Sequence, residues 1–394
     1  MGRRLHQFDS PLFTTDGSKS DFQRMSNYSS AIAMRRVALV GPIPPPIGGF
    51  SVVTERMLFA MKSIAEPLQL NRSHGNSKYQ WLRRFTAAFE ASRLVARYIA
   101  WLMRTGESSL YVALSGGGGQ WIDMLFVVIA RVARCRIFIH HHSFAYIHSR
   151  RRSTQFVMRM TQRATHVVLC ECMGDKLSTQ YRIPFENFHI LSNAAFVNSG
   201  DEQPERAIAV KALSTQFVVG FLGNITREKG IFAYFDVLEE LAKADGSVVG
   251  IIAGPVAADI QGEFFARLAR CPSVRHLGAV AGESKVEFLS IVDVLLFPSS
   301  YGNEAEPVTL WEALEYNTYV IATMRACIPS IVDRDSAGVL LSEAGFVVEC
   351  LGLLLNRSRF LHHISAEGPR LRFLHSRADQ MKRLDNLLTK LHTI

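Results

Sequence analysis

"RRVALVGPIPPPIGGFSVVTE", Arg35 to Glu55, sets the rhythm for the whole chain. It opens as a short apolar strand ending in glycine, passes through a Pro-Gly loop, and reads as a helix from Val52. The same theme returns in "SLYVALSGGGG", "RIFIHHHS" and "THVVLCE". Short apolar strands separated by helices predict a parallel sheet covered on both faces, a Rossmann-like layer. Near residue 200 the composition shifts: "NSGDEQPERA" is polar and acidic and contains Pro204, as a linker or exposed loop would. The alternation restarts in "FVVGFLGN", "SVVGIIAGP", "SVRHLGAV" and "DVLLFPSS", each followed by a helical segment. Two such units in succession imply a cleft between the carboxyl ends of two sheets, and ligands belong there.

The bulk numbers agree. A chain of 394 residues exceeds what one core fills, so two domains are expected. Apolar residues at 48% and charged residues at 20% describe a globular protein with substantial cores. The net charge of +9 is uneven: residues 1–200 hold 25 Lys and Arg against 11 Asp and Glu, and the rest hold 19 against 24. That asymmetry points either to a surface facing phosphates, of lipid or nucleic acid, or to a plain basic domain. No stacking or groove-reading motif appears, so nucleic acid is not an expected partner.

The six cysteines show no CxxC pair. Cys170 and Cys172 read as neighbours on one face of a strand, and the thiols are expected to be reduced and buried, without a metal. No apolar run is long enough to cross a bilayer. The best candidate, "MLFVVIARVA" from Met124, is interrupted by Arg131 and reads as a buried helix. Residues 1–30 are polar and Ser-rich, and are expected to be a disordered leader rather than a signal peptide.

Four stretches could carry chemistry. In "GPIPPPIGGFSVVTE" the prolines stiffen a loop tip, and Gly48 and Gly49 permit a sharp turn close to a ligand; an ordinary strand-to-helix turn is the alternative. In "RIFIHHHSF", alternation puts His140 and His142 on one face and His141 on the other. With no carboxylate or cysteine nearby, polar contacts to sugar hydroxyls are favoured over a metal, and a structural role stays open for His140 and His141. In "GFLGNITREKGIF", Arg227 and Lys229 can converge beside backbone amides on a diphosphate, or form a solvated basic turn. In "YGNEAEPVTLWEA", Pro307 suits the first position of a helix whose amino end carries partial positive charge into the cleft. Glu304 in its loop can accept from sugar hydroxyls, and Glu312 inside the helix from a ribose diol.

Together, "GPIPPPIGG", "HHHS", "GNITREKG" and "NEAEPVTLWEA" resemble the family-four retaining glycosyltransferases, of the glycosyl transferases group 1, over about Arg35 to Val332. The most specific element is the spacing from Glu304 to Glu312 after "FPSS". The resemblance implies an α/β GT-B fold, with two Rossmann-like parallel-sheet domains facing a central cleft. It divides the chain into an acceptor domain at 31–199 and a nucleotide-sugar domain at 200–375, with the C-terminal helix 376–394 a candidate to pack back on the first. Its Met381, Leu384, Leu388 and Leu391 fall at helical spacing.

By the same resemblance, the donor site comprises Gly48, Gly49, Arg227, Lys229, Glu304, Ala305, Pro307, Val308 and Glu312, with His142, Glu304 and Lys229 at the chemistry. No metal or cofactor is expected; the donor is a UDP- or GDP-linked sugar used as substrate, the acceptor a saccharide or a lipid-linked sugar, and the location cytoplasmic, peripheral to the inner membrane face. Several positions depart from the family pattern. Asn224 stands where the family often has Arg, Asn317 and Tyr319 replace a Gly and Pro turn, and Ala326-Cys327 replaces a glycine pair. Asn224 and Ala326 motivate a rival reading, a noncatalytic nucleotide-sugar or membrane-binding component of a polysaccharide assembly complex.

One further segment, "YQWLRRFTAAFEASRLVARYIAWLMR" from Tyr79, reads as a single helix. It carries Trp81, Phe85 and Phe89 on a stripe beside Arg83, Arg84, Arg93 and Arg97. It fits either an anionic membrane surface or packing on the sheet. "HSRRRS", His148 to Ser153, adds to the basic surface or orders an acceptor phosphate.

Overall fold

The computed structural model describes residues 35–73, 80–197, 211, 216–332, 337–356 and 368–393. The expected leader 1–30, the polar stretch from Asn198, and the side chains of Trp81, Arg83, Arg84 and Phe85 lie outside the described residues. The first half runs β1 (Arg36–Gly41), α1 (Gly49–Lys62), β2 (Leu68–Asn71), α2 (Gln80–Leu102), β3 (Ser108–Leu114), α3 (Gln120–Val132), β4 (Arg136–His141), α4 (Ala145–His148), α5 (Arg152–Met160), β5 (Thr165–Val168), α6 (Glu171–Tyr181) and β6 (Phe188–Ile190). The second half runs β7 (Phe217–Leu222), α7 (Ile231–Ala244), β8 (Val248–Ala253), α8 (Gln261–Arg270), β9 (Val274–His276), α9 (Glu283–Ile291), β10 (Val294–Phe297), α10 (Val308–Glu315), β11 (Tyr319–Thr323), α11 (Ile328–Ile331), β12 (Gly338–Leu341), α12 (Phe346–Leu355) and α13 (Gly368–His392).

Each half holds one six-stranded sheet, ordered β2-β1-β3-β4-β5-β6 and β12-β11-β10-β7-β8-β9. Every pairing is parallel. Strands such as β3, buried along its whole length, lack a polar face because helices cover both sides of the sheet. This is the GT-B arrangement of two Rossmann-like layers. In each sheet the chain leaves a central strand to one side and then the other. The switch falls between β1 and β3 in the first sheet and between β7 and β10 in the second, so a crevice opens at those carboxyl ends.

The helix α13 starts eight residues before the expected position and spans both halves. Phe373 joins the core around Leu310, Trp311 and Phe297, while Leu384, Leu387, Leu388 and Leu391 complete the core of Val37, Leu39, Met57 and Tyr111. Ser109 Oγ donates to the Leu391 carbonyl at 2.8 Å, and the Arg35 amide to that of His392 at 2.7 Å. The helix α3 departs from the buried helix expected from its sequence. Phe126, Val127 and Ala130 face the core, but Trp121, Leu125 and Val132 stand in solvent.

The cysteines also depart from expectation. Cys170 is no strand residue but precedes α6, and it is joined in a disulfide to Cys327, 157 residues away, in the loop before α11. Cys172 is exposed on α6, and Cys135, Cys271 and Cys350 are free. The link ties the two halves of the chain covalently.

Candidate functional site

At the second switch point the loops that follow β7 and β10 lie against each other. The Ser300 amide donates to the Glu228 carbonyl at 2.7 Å. Gly230 has φ +80, and a Cβ there would fall 2.1 Å from the Pro298 carbonyl oxygen, so only glycine fits. This close approach delivers Lys229 to Glu304. Their side chains form an ion pair, with the ammonium 5.4 Å from the Phe297 ring centre and 5.0 Å from that of Tyr301. Ser299 Oγ donates to the same Glu304 oxygen at 3.1 Å, and the carboxylate is buried. A cation and a satisfied carboxylate thus sit together at the mouth of the crevice.

Pro307 lies one position earlier than the sequence suggested, as the extended residue before α10 rather than its first helical one. Amides of the first turn have no partner inside the helix, which makes this end a ready anion site. In the second turn Glu312 accepts from Lys285 Nζ at 2.6 Å. Glu315 follows on α10, its carboxyl pushed up to about 8 by burial and by Glu312. Arg56 of α1 reaches toward both acids from the first domain, and burial lowers its own pKa. A Cβ on Gly49 would come 3.9 Å from a Val308 methyl, which places the Gly48-Gly49 loop opposite the start of α10. Neither glycine takes a positive φ, and Gly48 is the extended residue before α1; what the two leave is space.

The first sheet contributes neutral groups. The rings of His140 and His142 lie 3.8 Å apart on one face, and Phe50 packs on His142 at 4.6 Å. His140 Nδ1 shares a hydrogen bond with Tyr111. His141 points the other way: Nδ1 meets Tyr146 Oη at 2.9 Å and Nε2 meets His166 at 3.0 Å, which in turn bonds the Thr161 carbonyl. Burial holds His142 at about 3 and His166 at about 4, and drives His140 and His141 well down too. All four imidazoles are therefore neutral near pH 7. His141 is structural, while His142 Nε2 has no protein partner.

Two expected donor residues are engaged elsewhere. Arg227 does not converge with Lys229: it turns outward to Glu263 in a 2.5 Å ion pair and covers the Phe232 ring. Ala305 is buried in the core of the first domain with Cys327, whose amide donates to the Ala305 carbonyl at 3.0 Å.

Sequence reasoning missed Glu306, which accepts from Ser192 Oγ at 2.8 Å and from the Asn193 amide at 2.5 Å, across the junction of the domains. Burial raises its carboxyl to about 7. Its signal was a second acid in "NEAEP", but partners 113 and 114 residues away leave no trace in local pattern. A cavity of about 720 Å³, lined by Cys170, Glu306, Trp311, Arg372 and Arg383 among others, lies behind this junction and holds none of Lys229, Glu304, Glu312 or His142. Among the described residues no cluster of three His, Cys, Asp or Glu side chains could hold a metal ion.

Residues 203–348 match the family model for glycosyl transferases group 1. In structure the chain is similar to Anabaena HepE in complex with UDP, with a TM-score of 0.68 at 14% identity over 90% of this chain and 100% of that one. It is similar to sucrose-phosphate synthase from Thermosynechococcus elongatus, with a TM-score of 0.66 at 13% identity over 90% and 100%. It is also similar to WaaG, a glycosyltransferase involved in lipopolysaccharide biosynthesis, with a TM-score of 0.59 at 12% identity over 90% and 99%. No curated protein matches the sequence significantly. The resemblance read from the motifs therefore holds at the level of the GT-B fold and of a group 1 glycosyltransferase domain in the second half.

Proposed function

We propose that the protein is a retaining hexosyltransferase that takes a UDP- or GDP-linked sugar as donor and a saccharide or lipid-linked sugar as acceptor, in the cytoplasm and without a metal. The observation that carries this reading is the Lys229 and Glu304 pair at the β7/β10 switch point, beside the amino end of α10. The family match over residues 203–348 supports glycosyl transfer. The HepE structures, solved with UDP and with UDP-glucose, support a nucleotide-sugar donor.

In this reading the donor divides the pair. Its diphosphate takes the Lys229 ammonium and the open amides of α10, and its sugar hydroxyls donate to Glu304. Glu312, held by Lys285, accepts the ribose diol. His142, neutral and with a free Nε2, meets the sugar from the first domain, while the space at Gly48 and Gly49 admits phosphate and acceptor. The bond from the anomeric carbon to phosphate breaks as the acceptor oxygen bonds that carbon on the same face, and the acceptor proton passes to the leaving phosphate. Positioning and charge stabilisation supply the catalysis, with no protein nucleophile.

The rival, a noncatalytic sugar-nucleotide binder, draws on Arg227 being held by Glu263 and on Asn224 at the end of β7. A screen of UDP- and GDP-sugars, with mass spectrometry of products, separates the two. Transfer that disappears in Glu304→Ala and Lys229→Ala supports the enzyme. Donor binding without product supports the binder, and no donor binding overturns both.

A further inference from the structure

We propose that the outer face of α2, α3 and α5 is a docking surface for an anionic lipid bilayer. The three helices lie side by side on one face of the first sheet, with α3 packed against both neighbours, and their inward residues share one core. The outward side of α3 is the anomaly. Trp121, Leu125 and Val132 are 55%, 46% and 81% exposed, and half-buried Val128 stands between them. Steps of four, three and four residues keep these side chains in one line along the helix, where a surface helix ordinarily carries polar groups. Just beyond the end of α2 the line has a companion in Met103, 77% exposed, and on α5 in Phe156 between Arg152 and Arg159.

The charge around this apolar strip has one sign. Residues 88–163 contain eleven arginines, no lysine and three acids. Of the acids, Asp123 is buried against Arg72, Glu107 is paired with Arg35, and Glu90 lies beside Arg93 on α2. Exposed aromatic and aliphatic side chains between arginines match a headgroup layer, where the rings and chains enter the acyl boundary and the guanidinium groups meet lipid phosphate. No helix among the described residues is long and apolar enough to cross a membrane, so the contact is one of a face lying on the surface. A second copy of the chain is a poor occupant, because two such faces would bring like charges together. Nucleic acid would meet the arginines but leave Leu125 and Val132 without a partner.

The surface is also placed for use. Trp121 lies in the first turn of α3, just after the Gly116–Gly119 loop at the carboxyl end of β3, so a bilayer against this face lies beside the cleft. Docking itself is independent of the transfer chemistry and is tested without it.

The full chain is mixed with vesicles of phosphatidylcholine alone and of phosphatidylcholine with phosphatidylglycerol, and the bound fraction is read by flotation at low and high salt. Binding to the anionic vesicles alone, weakened by salt, is expected, with a loss of about tenfold or more in Trp121→Glu/Leu125→Glu and in Arg152→Glu/Arg159→Glu. Val132→Glu, at so exposed a position, removes apolar contact without endangering the fold, and is expected to weaken binding in the same direction. Absence of binding to anionic vesicles, or binding that all three variants leave intact, overturns the proposal. So does a dimer in sedimentation equilibrium that Trp121→Glu dissolves, or RNA that outcompetes the vesicles.

Discussion

Around the end of β4 and on β5 of the first sheet the polar side chains are neutral: four imidazoles with depressed pKa values, three of them joined to tyrosines, a carbonyl or one another, while the Arg72 and Asp123 ion pair lies apart from them, beyond β2 and on α3. At the carboxyl edge of the second sheet the polar side chains form ion pairs, Lys229 with Glu304 and Lys285 with Glu312, above the carboxyls of Glu306 and Glu315. The two layers share strand count, parallel pairing and a switch point, so the layer architecture does not set this difference. It comes from what the loops carry. A charged edge suits a diphosphate that arrives and departs, whereas a neutral edge can line a sugar without competing for the charge.

The contrast breaks first at turnover. Lys229→Ala and Glu304→Ala are expected to lower kcat/KM by about 10²–10³-fold, and His142→Ala by about tenfold, measured with one donor and acceptor. Equal losses at both edges would mean that the charge asymmetry has no catalytic meaning.

The covalent tie between the layers comes next. Cys170→Ala/Cys327→Ala is expected to cost about 2–4 kcal/mol in urea unfolding. A thiol titration of the denatured wild-type chain should find four reactive groups before reduction and six after.

Acid and base should then act on the two domains in opposite directions. Histidines with depressed pKa values leave the first domain at full stability above about 6.5. Acidification below that protonates the unfolded chain first, and stability falls by about 1.4 kcal/mol per pH unit for each such group, until its folded pKa is reached. Glu306 and Glu315, raised to about 7 and about 8, work the other way: their contribution is complete below about 4.5 and is lost as pH rises through those values. Hydrogen exchange by mass spectrometry, corrected for intrinsic rates, should show the first domain loosening at pH 5 and the Glu306 junction at pH 8. A parallel response of both would refute the assignment.

The smallest effect concerns Ala326, held at φ +49 in the loop before α11. Glycine relieves that conformation, and Ala326→Gly is expected to stabilise by about 0.5–1 kcal/mol in the same urea assay.

The layered fold and the crevice loops were legible because both rest on local pattern. "DVLLFPSS" and "FVVGFLGN" are each a strand with its own exit, and the rule for switch points does the rest. Asn317, with φ +54, takes the left-handed turn that its side chain tolerates. What stayed hidden depends on partners far along the chain. Nothing local pairs Cys170 with Cys327, or brings Ser192 and Asn193 to Glu306. Arg227 illustrates a different blindness: position beside Lys229 was readable, but the direction of a long side chain follows whichever carboxylate is near, here Glu263. The helix α3 was misjudged because periodicity identified a helix but not which of its apolar residues had a neighbour to cover them.

The helix α13 gives the chain an order of manufacture. Val37, Leu39 and Tyr111 leave the ribosome before the second sheet is made, yet Leu384, Leu387, Leu388 and Leu391, which cover them, leave after it. One flank of the first sheet therefore stays open throughout synthesis of the second domain. The first sheet is finished only when α13 folds back over it.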